Sequence, residues 1–181
     1  MKICNATMLL FPFCLLACNS RENIEEEMRM FAGQVITIEK DSLHNPYSLH
    51  TNLYPSTPYT YVIYSDPDNC SECAINHISD WSDLDMERYV QKGILSYMFI
   101  LAPENSRLNR IKSLIGKKNL NDYAIYVDTC GYFERNNELL PSNHLLHTFM
   151  IDKTNKVVLI GNPISNPQIK KMCIRILSDN Q

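Results

Sequence analysis

The chain has 181 residues and a formal net charge of −3, which suits one globular domain of ordinary size. A hydrophobic share of 45% is enough for a core that needs no staple. The mild acidity gives no reason to expect nucleic acid, which asks for a basic face, and no internal repeat or low-complexity tract is present.

Lys2 and the apolar run MLLFPFCLLA, residues 8–17, open the chain. The run is too short to span a bilayer, which takes about 20 apolar residues, and it has the length of a signal-peptide core. It ends in small Ala17 directly before Cys18. "LLAC" resembles the lipobox of bacterial lipoproteins. The resemblance implies that residues 1–17 are a signal peptide and that Cys18 is lipidated, anchoring the chain in the cell envelope through acyl chains worth about 0.8 kcal/mol per buried methylene. An ordinary secretory signal with a chance cysteine is the alternative. Residues 18–30 are polar and acidic and read as a tether holding the domain, residues 31–181, off the membrane. Acidic residues soon after such a cysteine resemble surface-transport signals of Bacteroidetes-like lipoproteins, so inner leaflet, outer leaflet and cell surface all stay open. Of seven cysteines, Cys4 and Cys14 would leave with the signal and Cys18 would carry lipid. Cys70, Cys73, Cys130 and Cys173 would remain in an oxidising, extracytoplasmic setting.

GQVITIE, 33–39, has the β-branched content of a strand, and 44–58 reads as a proline-bearing loop. YTYVIYS, 59–65, is a continuous apolar and aromatic run, as in a strand buried on both faces. Asp66-Pro67-Asp68-Asn69 breaks it, with Asp68 or Asn69 as N-cap of the helix that follows. In that helix Ala74, Ile78 and Trp81 recur at helical spacing beside Ile75 and Leu84. Residues 93–102 form a second buried strand. Asn105 or Ser106 caps a basic helix that stops near Gly116. Residues 123–128 are a third strand, and CGYFERNNELLPSN is a loop. HTFMID and KVVLIG form a hairpin around KTN, and a last helix runs from Gln168 to Leu177, with Cys173 on its apolar face as core filler.

A buried strand feeding a helix whose first turn carries C-x-x-C is the setting of thioredoxin-like redox motifs. The segment from Gly33 onward resembles the thioredoxin fold in its redoxin variety, similar to TlpA-type disulfide reductases and peroxiredoxins. DPDNCSEC after the strand and HTFMIDKTNKVVLIGNP carry the likeness, and AIYVD sits where those families place an additional strand. The resemblance implies an α/β, three-layer domain: a central mixed sheet with flanking helices. It also implies a thiol–disulfide oxidoreductase whose redox-active disulfide takes the place of a cofactor, with protein thiols or disulfides and an electron donor as partners.

In a helical C-x-x-C the first sulfur meets the free N–H groups and the positive end of the helix, which stabilise thiolate. Cys70 is therefore expected to attack, and Cys73, more buried, to resolve the mixed disulfide. Glu72 places a negative charge beside the thiolate, with Asp66 and Asp68 nearby, while His77 could oppose them if protonated. This points to reductase or isomerase work over oxidation. TlpA-like proteins carry a cis-proline before the TTFLID strand, and here that position is Leu146. A trans bond is expected there, because a cis bond before leucine costs about 2.5–4 kcal/mol. His147 beside it either faces Cys70 or alternates outward on the strand. The peroxiredoxin motif P-x-x-x-T-x-x-C is absent, since Pro67 has no following threonine.

Two other classes compete. Cys70, Cys73 and His77, completed by Cys130 or His147, would suit zinc or copper(I). A redox-inactive thioredoxin-like domain kept for partner binding is the other. Cys130, at the carboxyl end of the third strand, is either a third redox thiol or a free cysteine partly covered by its loop.

Overall fold

The structure, a computed structural model, describes residues 14–39 (main chain alone for 14–20), 43, 56–68, 70–81, 85–118, 120 and 123–179. Most of the expected signal segment, residues 1–13, lies outside these, as do the side chain of Cys18, most of the 44–58 loop, Asn69 and Leu84.

Among the described residues the sheet has five strands: β1 (Tyr59–Ser65), β2 (Leu95–Leu101), β3 (Ala124–Val127), β4 (Thr148–Asp152) and β5 (Val157–Ile160). Their spatial order is β3-β2-β1-β4-β5. β1, β2 and β3 run parallel, while β4 and β5 are antiparallel to their neighbours. The apolar runs explain why β1 and β2 sit centrally, since each must bury side chains on both faces. Because β4 runs against β1, its start lies beside the end of β1. Ile63 pairs with Thr148, and the Tyr64 N–H donates to the His147 carbonyl at 2.9 Å. The loop leading to Cys70 and the entry to β4 therefore share one sheet edge.

Among the described residues six helices accompany the sheet: α1 (Cys14–Phe31), α2 (Ser71–Asn76), α3 (Glu87–Gln91), α4 (Leu108–Lys118), α5 (Tyr132–Arg135) and α6 (Pro167–Ser178). Side chains alternate across a strand, so Tyr61, Tyr97 and Phe99 face one core and Val62, Met98 and Ile100 the other. The first core takes Ile75, Trp81, Tyr89, Ile111, Ile115, Cys173 and Leu177 from the helical side. The second takes Phe31, Ile36, Phe133 and Leu146. Each large apolar side chain so buried contributes about 1.5–3 kcal/mol. With helical elements covering both faces, this is the three-layer α/β arrangement implied by the sequence.

Residues 18–30 differ from the expected polar tether. They belong to α1, and Ile24 and Met28, four apart, pack with buried Phe31 against the second core. The acidic composition hid a narrow apolar stripe of i, i+4, i+7 spacing. Glu27 adds a polar tie, accepting from the Ser142 hydroxyl at 2.9 Å and the Asn143 N–H at 3.0 Å.

Other boundaries shift for local reasons. Residues 33–39 form only a bridge, Val35 to Lys156, with Gly33 donating to the Val157 carbonyl. The helix expected through Leu84 ends at Asn76 and passes into a 3₁₀ turn, Ile78–Trp81. α4 begins after a 3₁₀ turn at Asn105–Arg107 and runs through Gly116 to Lys118. Two short helices, α3 and α5, were not expected. At α5, buried Asp128 accepts the N–H groups of Cys130, Tyr132 and Phe133, and Gly131 supplies the positive φ of 65° that the turn needs. In the β4–β5 turn, burial opposes ionisation of Asp152, but bonds from Thr154 and Lys156 hold its carboxyl below the usual range.

Candidate active site

β1 delivers the chain to residues 66–68, and Cys70 is the N-cap of α2 in place of the expected Asp68 or Asn69. Its carbonyl accepts from the Ala74 N–H at 3.1 Å and its Sγ from the Cys73 N–H at 3.2 Å. The sulfur thus occupies the role a Ser or Asp oxygen plays at other N-caps, where a thiolate is favoured. Cys70 and Cys73 are joined by a disulfide with a Cα–Cα separation of 5.1 Å. Cys70 is exposed, as expected. Cys73 is exposed too, which corrects its expected burial. Ser71 and Ile75, four apart, turn inward, and at about 100° per residue Cys73 falls on the opposite side of the helix. The Ser71 hydroxyl lies 3.4 Å from that of Ser65, at the end of β1.

Glu72, between the cysteines, is held from outside. Its Oε2 is 2.8 Å from Arg110 Nη2 on α4, so its charge does not act alone on the dithiol. His77 caps the end of α2, and its Nδ1 lies 2.7 Å from Asp80 Oδ2. Among the described residues, no group of three or more His, Cys, Asp or Glu side chains converges as a metal ion would require. His77 is therefore not brought into a ligand set with Cys70 and Cys73.

Leu146 ends a 3₁₀ turn, His144–Leu146. It is buried in the second core, and among the described residues no peptide bond is cis. His147 neither alternates outward nor stands free. Its side chain is 6% exposed, with Nδ1 3.0 Å from Asp66 Oδ2 but making no hydrogen bond. Nε2 lies 2.8 Å from the Pro141 carbonyl, which can only accept, so that nitrogen donates. The Tyr64 ring packs on the imidazole at 5.2 Å. Burial, with smaller contributions from neighbouring acids, raises the Tyr64 hydroxyl above its ordinary range.

Cys130 is a free, exposed thiol at the same sheet edge. However, β3 is separated from β1 by β2, so it stands two strand spacings, about 10 Å, to the side. Cys173 is fully buried and donates towards Met86 Sδ at 3.1 Å, and burial pushes its thiol up to about 12. Arg110 and Pro141 escaped the sequence reading. Nothing in their spacing links them to the motif, because α4 and the 141–147 loop meet it only in the folded chain.

No protein-family model and no curated protein matches the sequence. Among solved structures, it is similar to a thioredoxin-like protein from Bacteroides caccae, at 12% identity and TM-score 0.48, covering 92% of this chain and 57% of that one. It is also similar to a putative thiol:disulfide interchange protein DsbE from Chlorobium tepidum, at 16% identity and TM-score 0.45, covering 68% and 82%. A conserved protein of unknown function from Bacteroides fragilis shares 19% identity at TM-score 0.40, covering 60% and 75%. By its own sheet order, its terminal β-hairpin and helix, and a C-x-x-C disulfide on the helix after the central strand, the chain has a thioredoxin-like α/β fold.

Proposed function

We propose that the protein is a membrane-anchored, extracytoplasmic thiol–disulfide oxidoreductase that works as a reductase or isomerase. One observation carries this reading: an exposed Cys70 at a helix N-cap, already bonded to Cys73, at the end of the central strand. In the reduced state the Cys70 thiolate attacks one sulfur of a substrate disulfide. A Cys70–substrate bond forms, and the other substrate sulfur leaves as thiolate. Cys73, deprotonated, then attacks the Cys70 sulfur, closing the 70–73 bond and releasing the second substrate thiol. The substrate gains two electrons and the protein loses two, which an external dithiol donor must return.

The direction is supported by the acidic residues around the motif, Asp66, Asp68 and Glu72, although Arg110 offsets part of the last. Anchoring through lipid on Cys18 is supported by the apolar run and Ala17 before it. Among the described residues no helix is long and apolar enough to cross a membrane. The test is equilibration with glutathione redox buffers, followed by alkylation and mass measurement. The reading expects two thiols that appear together, at a potential nearer that of thioredoxin, about −270 mV, than that of strong periplasmic oxidants, about −120 mV. A pair that never reduces without unfolding would overturn the exchange reading, and a potential near the oxidants would overturn its direction.

A further inference from the structure

The loop leading into β4 is tied down by polar groups at several points. Glu27 of α1 accepts from Ser142 and Asn143. The Pro141 carbonyl receives the His147 Nε2–H. The far side of the same imidazole meets Asp66, whose side chain is only 14% exposed. Asp66 directly follows β1 and starts the segment that ends at Cys70. Four residues of chain reach at most about 14 Å, so the position of Asp66 bounds where Cys70 can stand.

Burying a carboxylate against an imidazole is costly in water-poor surroundings, and such pairs often contribute nothing net to stability. The fold also does not need this one to join the strands. β1 and β4 are already paired through Tyr59–Ile63, and the Tyr64 N–H bond to His147 extends that pairing. The side-chain contact adds something else, an ion pair at 3.0 Å that forms when the imidazole carries its second proton. It locks the outgoing dithiol segment to the incoming β4 segment at the one sheet edge they share.

We infer that Asp66 and His147 are positioning residues for the dithiol: their pairing registers segment 66–70 against the entry to β4 and so sets where Cys70 presents its sulfur. This rests on the exchange reading above. Neither residue is assigned contact with the substrate. Both act through the backbone that carries Cys70.

The experiment uses the reduced chain and oxidised glutathione as probe, in a single turnover that yields the protein disulfide and two reduced glutathiones. Asp66→Asn, His147→Gln and the double variant are compared, with thermal melts run in parallel. Asp66→Asn is nearly isosteric and keeps the test open if His147→Gln does not fold. The expected result is a slowing of about tenfold for each single variant. The double variant should be no slower than the worse single, because both substitutions break one unit. Melting temperatures that fall while the exchange rate of folded protein stays unchanged would overturn the inference, as would single effects that multiply in the double variant. An unaltered chain that fails to react with the probe would sink the exchange reading itself. Normal exchange that ignores both substitutions would sink only the pair.

Discussion

Arg110 Nη2 stands 2.8 Å from Glu72 Oε2, so the one charged residue inside the C-x-x-C motif is held by a neighbouring helix. Glu72 is 20% exposed and Arg110 73%, which places the pair among surface ion pairs worth about 0.2–1 kcal/mol. Removing Arg110 leaves the Glu72 charge opposing a Cys70 thiolate. Arg110→Ala should therefore move the redox equilibrium towards the disulfide, by up to about fivefold. Glu72→Gln should move it towards the dithiol. Glutathione titrations at low and high salt check this, because screening should shrink both shifts. Shifts of the same sign would contradict the electrostatic account.

α1 behaves as part of the domain, and Phe31 is its deepest contact: fully buried and edge-on to Phe149 at 5.0 Å. Phe31→Ala should lower unfolding free energy by about 3–5 kcal/mol, read as the midpoint of a urea melt. A change within 0.5 kcal/mol, the range of neutral surface substitutions, would mean that the helix is the loose tether its composition suggests.

Alkaline pH should weaken the fold. Burial holds Cys173 neutral up to about 12 against an ordinary 9.0, and it also raises Tyr61, Tyr64 and Tyr97 above their ordinary 10.0. In each case the unfolded chain loses its proton first. The unfolded state then binds fewer protons, and stability falls as pH rises. Below about pH 8 these groups contribute almost no slope, because the unfolded thiol too keeps its proton there. Urea midpoints should drop between pH 9 and 11, with Cys173→Ala showing a shallower fall from pH 9 to 10. Equal slopes in the two proteins would contradict the Cys173 assignment.

What could be read from the sequence was whatever depends on neighbours along the chain. β1 and β2 announce themselves by unbroken apolar runs, the hairpin by HTFMID and KVVLIG around a turn, and α6 by the apolar face that holds Cys173. The dithiol segment was legible for the same reason. What stayed hidden depends on groups that meet only in space. Ile24 and Met28 are diluted among acids, so α1 looked unstructured until the second core gave its stripe a partner. The exposure of Cys73 follows from which face of a six-residue helix Ile75 claims. His147 and Asp66 are 81 positions apart, and their meeting follows from the antiparallel register of β1 and β4.

The assignment of Cys70 as the attacking sulfur and Cys73 as the resolving one is tested by covalent trapping, because both sulfurs are exposed. Cys73→Ala and Cys70→Ala chains, each produced in the cell envelope and quenched with acid, are compared on non-reducing gels and by mass spectrometry. Cys73→Ala should accumulate mixed disulfides through Cys70 that disappear on reduction, and Cys70→Ala should accumulate almost none. Equal trapping by both, trapping by Cys70→Ala alone, or no trapped partner from either would contradict it.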